Sequence, residues 1–591
     1  MIENYVQHEY TSWYRSPEAI DVLKLRLKTD KNIEQAVVYF DSRFNPRPFP
    51  ENYKPMNHIG GTKRLNFFQG KIKVEDSRFL YGFKLFPQKN KPFWYTEKGS
   101  TYKIEKEVNK SFFHYPYIRE EEIPKYPDWL ENAIVYQIFP DRFAKGGSGS
   151  HNFSLNEWGA KPTRDSFFGG DLQGIIDKID YLKELGINAI YLNPLFKSSS
   201  NHKYNIDNYY QIDENFGDID TAKKFVEQAH ENNIKVIVDG VFNHTGDKFF
   251  AFRDLLENGR KSKYKDWYYA TSFPVSKNAI NYETFGVDVS SMPRVNLYNE
   301  EAKEYFLEVI RYWTEELNID GWRMDVADEV PAEFWRKARK IIKELDTECY
   351  LVGEIWYNSA EWLEGDQFDG VMNYHWRRNI LDLLARGRIS VRKFSARVQR
   401  EIFQNPPEML HKSLSMLDSH DTPRIAHGFR YYPQAKRKKL IKQAIILQFS
   451  LPGIPLIFYG NEIGLTGGDD PDCRRCMIWD EKKQDEELYN FYKRIIKFYH
   501  ETVSLQSGAF REIYTDEIKQ LLIFSRIKAD NKCVVAANIS SDKKVIKQEF
   551  LLNKKKYNKE VNNYFSLLNK EYDFTKDDIV LPPDEILLIQ I

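Results

Sequence analysis

The chain has 591 residues, which is too long for a single compact core and predicts three or four structural units. The chain has 86 basic residues (Lys and Arg) and 86 acidic residues (Asp and Glu), so its formal net charge is zero. This balance excludes a long-range electrostatic attraction to nucleic acid or to anionic membranes. We therefore expect an uncharged partner. The 12 Trp and 37 Tyr residues offer rings on which sugars can stack, although large cores account for most of them.

The cysteines and apolar segments favour neither a disulfide framework nor a membrane span. The four cysteines, Cys349, Cys473, Cys476 and Cys533, are too few for such a framework, and the lone CxxC lacks the second pair of a zinc site. The longest apolar run, 444–459, is interrupted by a glutamine, two prolines and a glycine. The N-terminus lacks a basic start followed by an apolar stretch, so we expect a cytoplasmic protein.

Residues 1–122 are predicted to form an N-terminal β-sandwich. Short runs such as LKLRLKT, QAVVYF, GKIKV and LYGFKLF are rich in β-branched and aromatic residues and are separated by Asn, Pro and Gly. A Pro-rich bridge, EEIPKYPDWL, ends this region. Short strands return after about residue 508, so residues 508–591 are predicted to form a C-terminal β-sandwich.

The central region alternates buried-strand runs with amphipathic helices, which predicts an α/β fold, a (β/α)8 TIM barrel over residues 123–243 and 299–507. Its strand candidates are AIVYQIF, INAIYLNPLF, IKVIVDGVFN, GWRMDV, CYLVGEIW, GVMNY, SLSMLDSH and IPLIFYGNE. The third crossover is too long for a single helix, since the returning helix is predicted over 299–317. Residues 244–298 are therefore predicted to form an inserted subdomain B.

Polar side chains collect where the predicted strands end, which is where active sites of such barrels lie. Strand four is predicted to hold both Arg323 and Asp325, strand five ends in Glu354, and strand seven ends in His420 and Asp421. Each fragment alone is weak evidence. Together, several strands deliver carboxylates and hydrogen-bond donors to one rim, and this predicts a catalytic site.

The residue types suggest separate roles. Arg323 and Asp325 are two positions apart on one strand and share a face, so the guanidinium favours an ionised Asp325, suited to be a nucleophile. Glu354, on the next strand and beside other carboxylates in a partly desolvated pocket, is expected to stay protonated as the general acid. Neighbouring strands supply the carboxyl separation of about 5 to 5.5 Å that retaining glycosidases use. Asp421 can bind sugar hydroxyls, and His244 and His420 can donate hydrogen bonds to the same sugar.

The ordered motifs resemble those of the α-amylase family of glycoside hydrolases, and within it the cyclomaltodextrinase, neopullulanase and maltogenic amylase group. They are FFGGDLQG, SNHKY, DGVFNHTG, GWRMDVADE, LVGEIW and LDSHDTPR, with MPRVN similar to the marker MPKLN of the group. The resemblance runs along the whole chain and is strongest over about 129–480.

The resemblance implies a role for each matching position. It makes Asp325 the nucleophile, Glu354 the acid/base and Asp421 the stabiliser of the transition state. The other positions that it implies contact the substrate: Tyr204 as the platform under the sugar, His202, His244, Arg323 and His420 around that sugar, and Phe285, Trp356, Asp328 and Glu329 on the leaving-group side. It also implies α-glucan oligosaccharides and cyclodextrins as substrates, and a homodimer through the N-terminal domain.

Three motifs depart from the pattern of the family. YNIDNY has Asn205 and Asn208 where the family has Asp, so the support of Tyr204 is expected to differ. VADE replaces VANE and places Asp328 beside Glu329, and EIWY places Tyr357 where a histidine is usual. These changes bear on the preference between α-1,4 and α-1,6 linkages and between hydrolysis and transfer.

The loop that binds calcium in some members of the group also differs. FAKGGSGSHN, from Phe143, has Lys145 and Gly147 at ligand positions, and only Asp171 remains as an obvious carboxylate. Calcium takes six to eight oxygen ligands. We therefore expect no metal at this site and no required cofactor.

The leading hypothesis is a retaining hydrolase that opens cyclodextrins and cuts maltooligosaccharides and pullulan at α-1,4, and in part α-1,6, bonds with some transglycosylation. An α-1,6-specific or mainly transferring member of the same family is one alternative. A non-catalytic glucan-binding protein on a relic barrel is another, although binding alone does not require all three carboxylates.

Overall fold

The computed structural model describes residues 4–44, 49–104, 110–552 and 561–591, so part of the predicted 1–122 domain lies outside the described residues. The N-terminal strands form two antiparallel sheets, β1-β3-β7-β6 with β2 paired to β3, and β10-β9-β8-β4-β5 with β11 paired to β8. These strands are β1 Val6–Gln7, β2 Arg15–Ala19, β3 Val22–Asp30, β4 Ile33–Ser42, β5 Asn52–Pro55, β6 Asn57–Gly61, β7 Leu65–Lys73, β8 Phe79–Pro87, β9 Phe93–Thr96, β10 Gly99–Thr101 and β11 Phe113–Tyr115. The inner faces of the two sheets enclose an apolar core that includes Leu25, Val38 and Phe83.

The central strands form a closed parallel barrel in the order β12-β13-β16-β17-β18-β19-β20-β21, which confirms the predicted fold class. Only β14 and β15 of this region stand apart from the barrel, as a hairpin. The strands are β12 Val135–Ile138, β13 Ala189–Leu192, β14 Phe196–Ser198, β15 Ile206–Ile212, β16 Lys235–Gly240, β17 Gly321–Met324, β18 Tyr350–Gly353, β19 Gly370–Asn373, β20 Leu414–Met416 and β21 Ile454–Phe458. Each barrel strand falls within one of the eight sequence candidates. The near-continuous apolar character of these runs reflects burial on both faces, since the barrel interior is packed and helices cover the outside.

Several of the helices have polar N-caps. Asp218 caps α4 and Asn299 caps α6, and each side-chain oxygen accepts a hydrogen bond from a backbone N–H of the first turn. The helices are α1 Pro140–Phe143, α2 Leu172–Ile176, α3 Ile179–Leu185, α4 Ile219–Glu231, α5 Phe250–Asn258, α6 Glu300–Leu317, α7 Ala332–Leu345, α8 Tyr374–Leu384, α9 Val391–Gln404, α10 Pro407–Lys412, α11 Ile425–Gly428, α12 Gln434–Ser450, α13 Glu486–Glu501, α14 Val503–Ser507 and α15 Gln548–Leu552. In the part of the chain that the structure describes, none of these helices combines the length and apolar character needed for a membrane crossing.

The segment between β16 and α6 is the insertion predicted after the third strand. It contains α5 and isolated antiparallel bridges, such as His244 with Arg294 and Thr284 with Pro293. These bridges place the segment beside the carboxyl end of β16. The insertion therefore forms one wall above the barrel rim.

The C-terminal strands form a five-stranded antiparallel sheet, β22-β23-β24-β28-β26, and a separate β25-β27 pair. The strands are β22 Ala509–Asp516, β23 Leu521–Lys528, β24 Asn531–Asn538, β25 Lys544–Lys547, β26 Asn563–Ser566, β27 Asp578–Leu581 and β28 Ile586–Gln590. This C-terminal unit packs against α9 and α14.

The N-terminal sheets are joined to the barrel through buried polar contacts at the end of α9. Arg26 donates hydrogen bonds to the carbonyl oxygens of Phe403, at 3.0 Å, and Asn405, at 2.7 Å. Lys24 forms an ion pair with Glu408, and the ring of Phe67 stacks on Phe403 with 4.3 Å between centroids. This interface combines apolar packing with satisfied polar groups.

Candidate active site

A cleft of about 790 Å³ opens at the carboxyl ends of the barrel strands. Its lining brings together nearly all of the predicted site residues, namely Asp325, Glu354, Asp421, His202, Tyr204, His244, Phe285, Asp328, Glu329, Trp356 and His420. The remaining one, Arg323, lies fully buried beneath the cleft. A concave site of this size can enclose several sugar units.

Adjacent positions of two neighbouring strands place Asp325 and Glu354. Met324, the last residue of β17, pairs with Gly353, the last residue of β18, and each carboxylate follows directly. Parallel neighbours in a sheet lie about 4.8 Å apart. The two carboxylates therefore leave the barrel side by side.

The strands end earlier than the sequence predicted. Asp325 lies just after β17 rather than within it, and β20 stops at Met416 instead of continuing to His420. After Met416 the chain forms local contacts instead of strand pairing: Asp418 accepts a hydrogen bond from the N–H of Ile425 at 2.6 Å. The loop that follows, rather than the strand, carries Asp421.

A single guanidinium links the carboxylates below the cleft. Nη1 of Arg323 lies 2.8 Å from Oδ1 of Asp239 and 2.9 Å from Oδ1 of Asp325, and Nη2 lies 2.8 Å from Oε2 of Glu354. All four groups are almost completely buried. The contacts of Nη1 are charge-assisted hydrogen bonds, which fix geometry closely in a low-dielectric surrounding, and the contact of Nη2 with Glu354 is an ion pair.

Oδ2, the second carboxylate oxygen of Asp325, is available to a ligand in the cleft. Among the described residues, the only side-chain donor to this carboxylate is Arg323, on Oδ1. Burial raises the pKa of Asp325 well above its usual range; Arg323 opposes this shift, and the neighbouring carboxylates Glu354 and Asp239 add to it. The site therefore tends to retain a proton among its carboxylates, as the acid step of glycoside cleavage requires.

Glu354 is surrounded by donors that the sequence did not reveal. Its Oε2 accepts from the N–H of Val326 at 3.0 Å, and its Oε1 accepts from Nε1 of Trp356 at 3.1 Å and from the hydroxyl of Tyr374 at 3.2 Å. Trp356 stacks on Tyr374 with 3.8 Å between centroids. Val326 has a φ of 44°, a left-handed conformation that is costly for a β-branched residue, and this turn aims its N–H at Glu354.

Asp421 is held ionised by two neighbours. His420 Nε2 lies 2.9 Å from Oδ2, and Arg474 Nη2 lies 3.2 Å from Oδ1. Burial alone would raise the pKa of Asp421, but His420 and then Arg474 outweigh it and hold the pKa below its usual range. The side-chain amide nitrogen of Gln137 lies 2.8 Å from Nδ1 of His420 and helps to hold the imidazole ring in place.

Tyr204 presents its ring to the cleft from a fixed position. Its hydroxyl donates to Oδ2 of Asp239 at 2.7 Å and accepts from Nδ2 of Asn193 at 2.8 Å. The ring is parallel to His420 within 6°, with 5.3 Å between centroids. Asn205 bonds the hydroxyls of nearby serines, including Ser198 at 2.8 Å, so this departure from the family motif leaves the bonds of the Tyr204 hydroxyl intact.

The opposite wall combines rings with unpaired carboxylates. His244 stacks on Phe285 with 4.9 Å between centroids, and burial lowers the pKa of His244 to about 3, which keeps it neutral. Its Nε2 is buried and has no hydrogen-bond partner among the described residues, so a substrate hydroxyl can fill that role. Asp328 is half-buried, and burial followed by the charges of Glu354 and Glu329 raises its pKa.

Sequence reasoning missed several polar residues of the cleft. Arg474 and Asp470 bond each other at 3.0 Å and reach the cleft from the loop after β21. Arg164 and Asp165 reach it from the loop before α2. Nothing in the spacing of GGDDPDCRRCMIWD, the segment that holds Arg474, indicates contact with Asp421.

The loop around Asp171 does not fit a calcium ion. Oδ1 of Asp171 accepts from the N–H groups of Gly146 and Gly174, and Oδ2 from those of Gly147, Ser148 and Gly149, at 2.7 to 3.3 Å. Calcium needs oxygen acceptors, whereas this loop turns backbone donors toward its one carboxylate. Elsewhere among the described residues, no group of three or more His, Cys, Asp or Glu side chains could hold a metal.

Comparison with known proteins gives matches over nearly the whole chain. The model of the alpha amylase catalytic domain matches residues 137–508, and that of the alpha amylase N-terminal Ig-like domain matches residues 1–119. The chain is 40% identical to a cyclomaltodextrinase of Thermoanaerobacter pseudethanolicus over 92% of this chain and 94% of that one, and 38% identical to neopullulanase 2 of Thermoactinomyces vulgaris over 92% of each. A solved cyclomaltodextrinase structure superposes with a TM-score of 0.90 at 33% identity, over 99% of both chains.

Proposed function

This chain belongs to the α-amylase family of glycoside hydrolases, and we propose that it is a retaining hydrolase of α-glucosidic bonds in cyclodextrins, maltooligosaccharides and pullulan. It cuts α-1,4 bonds, and in part α-1,6 bonds, with transfer to other sugars as a side reaction. The observation that carries the proposal is the sharing of one guanidinium by Asp325 and Glu354 at the floor of a cleft that holds Asp421. The relatives named above support the substrate class.

In the first step, Oδ2 of Asp325 attacks the anomeric carbon while Glu354 gives its proton to the glycosidic oxygen, and the C–O bond to the leaving group breaks. This step forms a glucosyl ester on Asp325. The common Arg323 contact supports the short carboxyl separation, about 5 to 5.5 Å, on which retention depends.

In the second step, Glu354 takes a proton from water, and the water oxygen displaces Asp325 from the anomeric carbon. A sugar hydroxyl in place of water gives transfer. Asp421 remains ionised because of His420 and Arg474, so it binds the hydroxyls of the distorted sugar and stabilises the positive charge of the transition state. Tyr204 supports the apolar face of the same ring.

The substrate proposal is tested by incubating the protein separately with β-cyclodextrin, pullulan, soluble starch and isomaltose and separating the products by chromatography. We expect cyclodextrin to be cleaved faster than starch and panose to appear from pullulan. Cleavage of isomaltose alone would instead identify an α-1,6-specific enzyme, and inertness on all substrates a glucan-binding protein. Proton NMR in early turnover should show the α anomer first, and initial release of the β anomer would exclude retention.

We also propose that activity needs no metal. The donors around Asp171 support this proposal, because bound calcium would have to displace hydrogen bonds from the N–H groups of the loop. No other cofactor is needed for the two displacement steps, since carboxylates supply both the nucleophile and the proton.

We propose that the protein is a cytoplasmic homodimer that pairs through its N-terminal unit. Its cysteines are all free and buried, which fits a reducing compartment. Exposed rings on the N-terminal unit, including Tyr53 beside Tyr39, offer apolar area for such a contact. Light scattering during gel filtration tests the dimer, and Tyr53→Asp should shift the mass toward one chain.

A further inference from the structure

Lys203 lies between two residues that line the catalytic cleft, His202 and Tyr204, but does not line the cleft itself. All three belong to the turn that joins β14 to β15. Lys203 has a φ of 62°, in the left-handed region that residues other than glycine seldom adopt. The turn therefore has an uncommon conformation at the position where it presents two rings to the cleft, and its surroundings must maintain that conformation.

A buried ion pair connects this turn to the base of the β14–β15 hairpin. Nζ of Lys203 lies 2.9 Å from Oδ2 of Asp213, which directly follows β15, and the two side chains are 1% and 2% exposed. Nζ also donates to the carbonyl oxygen of Ser198, the last residue of β14, at 3.3 Å. Asp213 in turn accepts hydrogen bonds from the N–H of Ser198 at 2.8 Å and from the N–H of Asn215 at 2.9 Å. The ion pair thus joins the turn to both strands of the hairpin.

The ion pair is better explained by geometry than by stability. Burial lowers the pKa of Lys203, and Asp213 opposes this shift. The ammonium also lies 5.4 Å from the ring centroid of Phe167 and 5.2 Å from that of Phe216. Transfer of two charges out of water can cost as much as their attraction returns, so apolar residues of similar volume are often at least as stable in such a place. A charged pair that forms directional bonds, however, specifies one conformation of the turn.

The turn supports the end of Tyr204 that the barrel does not hold. The barrel fixes the hydroxyl of Tyr204 through Asp239 and Asn193. The backbone N–H of Tyr204 donates to Nδ1 of His202 at 3.1 Å, and the two rings stack with 5.8 Å between centroids. A displacement of the turn would therefore move the ring of His202 and tilt the ring of Tyr204 about its fixed hydroxyl.

We propose that Lys203 is a positioning residue, whose ion pair with Asp213 sets the orientation of Tyr204 and His202 toward the sugar that is cleaved. Among the described residues, Asp213 is the only carboxylate that pairs with Lys203. This inference rests on the proposed function, since it concerns the sugar on the ring of Tyr204. Lys203 does not line the cleft, so its loss should lower kcat through misplaced rings and leave most contacts with the substrate unchanged.

The test uses a double variant that combines Lys203→Met with Asp213→Asn, because either single change would leave a buried charge without its partner and could prevent folding. Methionine can keep contact with the rings of Phe167 and Phe216, and asparagine keeps an oxygen acceptor for the N–H of Ser198. We expect kcat on β-cyclodextrin to fall about tenfold to a hundredfold, because a misplacement of about 1 Å can cost that much. KM should change much less, and the melting temperature should stay close to that of the unaltered protein.

Lys303→Met is the matched control. The side chain of Lys303 is 3% exposed and also forms ion pairs, with Glu300 of α6 and Glu333 of α7, but it lies outside the cleft. This variant should leave kcat unchanged. An unchanged kcat in the double variant, or an equal fall in Lys303→Met, would overturn the positioning role of Lys203.

A crystal structure of the double variant decides the proposal without turnover. We expect the ring of Tyr204 to leave its orientation relative to His420, to which it is parallel within 6° in the unaltered protein. An unmoved ring would overturn the proposal even if kcat fell. If the unaltered protein failed to cleave β-cyclodextrin, the proposed function would fail instead, and the orientation of Tyr204 in this crystal structure would still decide the positioning role.

Discussion

Arg323 bonds both oxygens of Asp239, at 2.8 and 3.0 Å, and through the same Nη1 it bonds Asp325. Asp239 also accepts hydrogen bonds from Tyr191 at 2.5 Å and Tyr204 at 2.7 Å. Asp325 and Tyr204 are therefore anchored to one buried carboxylate that lies below the cleft. Asp239 acts as a positioning residue for both.

Replacement of Asp239 should change the pH profile as well as the rate. Asp239→Asn removes a negative charge that raises the pKa of Asp325, so Asp325 ionises at lower pH and the acid limb of kcat/KM moves to lower pH. We expect kcat to fall at least about tenfold, because Arg323 and Tyr204 lose a partner. Asp320→Asn is the control, since Asp320 is also buried but pairs with His230 and Lys235 at the opposite end of β17. A profile that moves equally in both variants would contradict this role.

The roles of the two central carboxylates can be separated by substitution. Asp325→Asn and Glu354→Gln should each lower kcat by about a thousandfold or more, because one removes the covalent step and the other its acid. Steady-state rates on β-cyclodextrin measure the loss. Added azide should restore part of the turnover of an Asp325→Gly or Glu354→Gly variant by replacing the missing group, and near-normal turnover in either amide variant would refute the assignment.

Asp325→Asn should be more stable than the unaltered protein at neutral pH. The pKa of Asp325 is raised in the folded chain, so the folded state binds more protons than the unfolded state between the ordinary and the raised pKa. Stability contributed by this group is thus present at low pH and lost as pH rises. We expect the free energy of unfolding of the variant to exceed that of the unaltered protein by about 0.5 to 2 kcal/mol at pH 7. This difference should shrink toward pH 4, and thermal or urea unfolding measures it. A gain independent of pH would argue against the charge as its cause.

The loop around Asp171 gives a prediction about metals and stability together. EDTA should change neither the activity nor the melting temperature, whereas Asp171→Ala should cost about 2 kcal/mol or more, because five backbone N–H groups lose their acceptor. Asp177→Ala, a nearby exposed carboxylate at the end of α2, should have little effect. Loss of activity with EDTA that calcium reverses would disprove the proposal.

The sequence predicted the barrel and which residues lie at its rim, because both depend on local sequence patterns. Eight apolar runs mark the strands, and the residues just after them must meet at one end of a closed parallel barrel. Asp325 and Glu354 could be placed together for that reason alone. Their separation along the chain does not matter once adjacent strands pair in register.

The remaining features depend on tertiary contacts that no local pattern encodes. Arg474 reaches Asp421 from a loop 53 residues away, and the Val326 turn toward Glu354 opposes the ordinary preference of a β-branched residue. The sequence marks Asp171 only as the one obvious carboxylate of its loop, whereas the conformation of that loop makes Asp171 the acceptor for five backbone N–H groups.

The contacts of Arg26 with the end of α9 have a mechanical consequence. Because the buried guanidinium of Arg26 donates to two backbone carbonyls of the barrel, the N-terminal unit is attached directly to the barrel and not only through the connecting chain. Any surface of this unit therefore keeps a fixed orientation relative to the rim of the cleft. A second chain bound to this unit would therefore have a fixed position relative to the cleft.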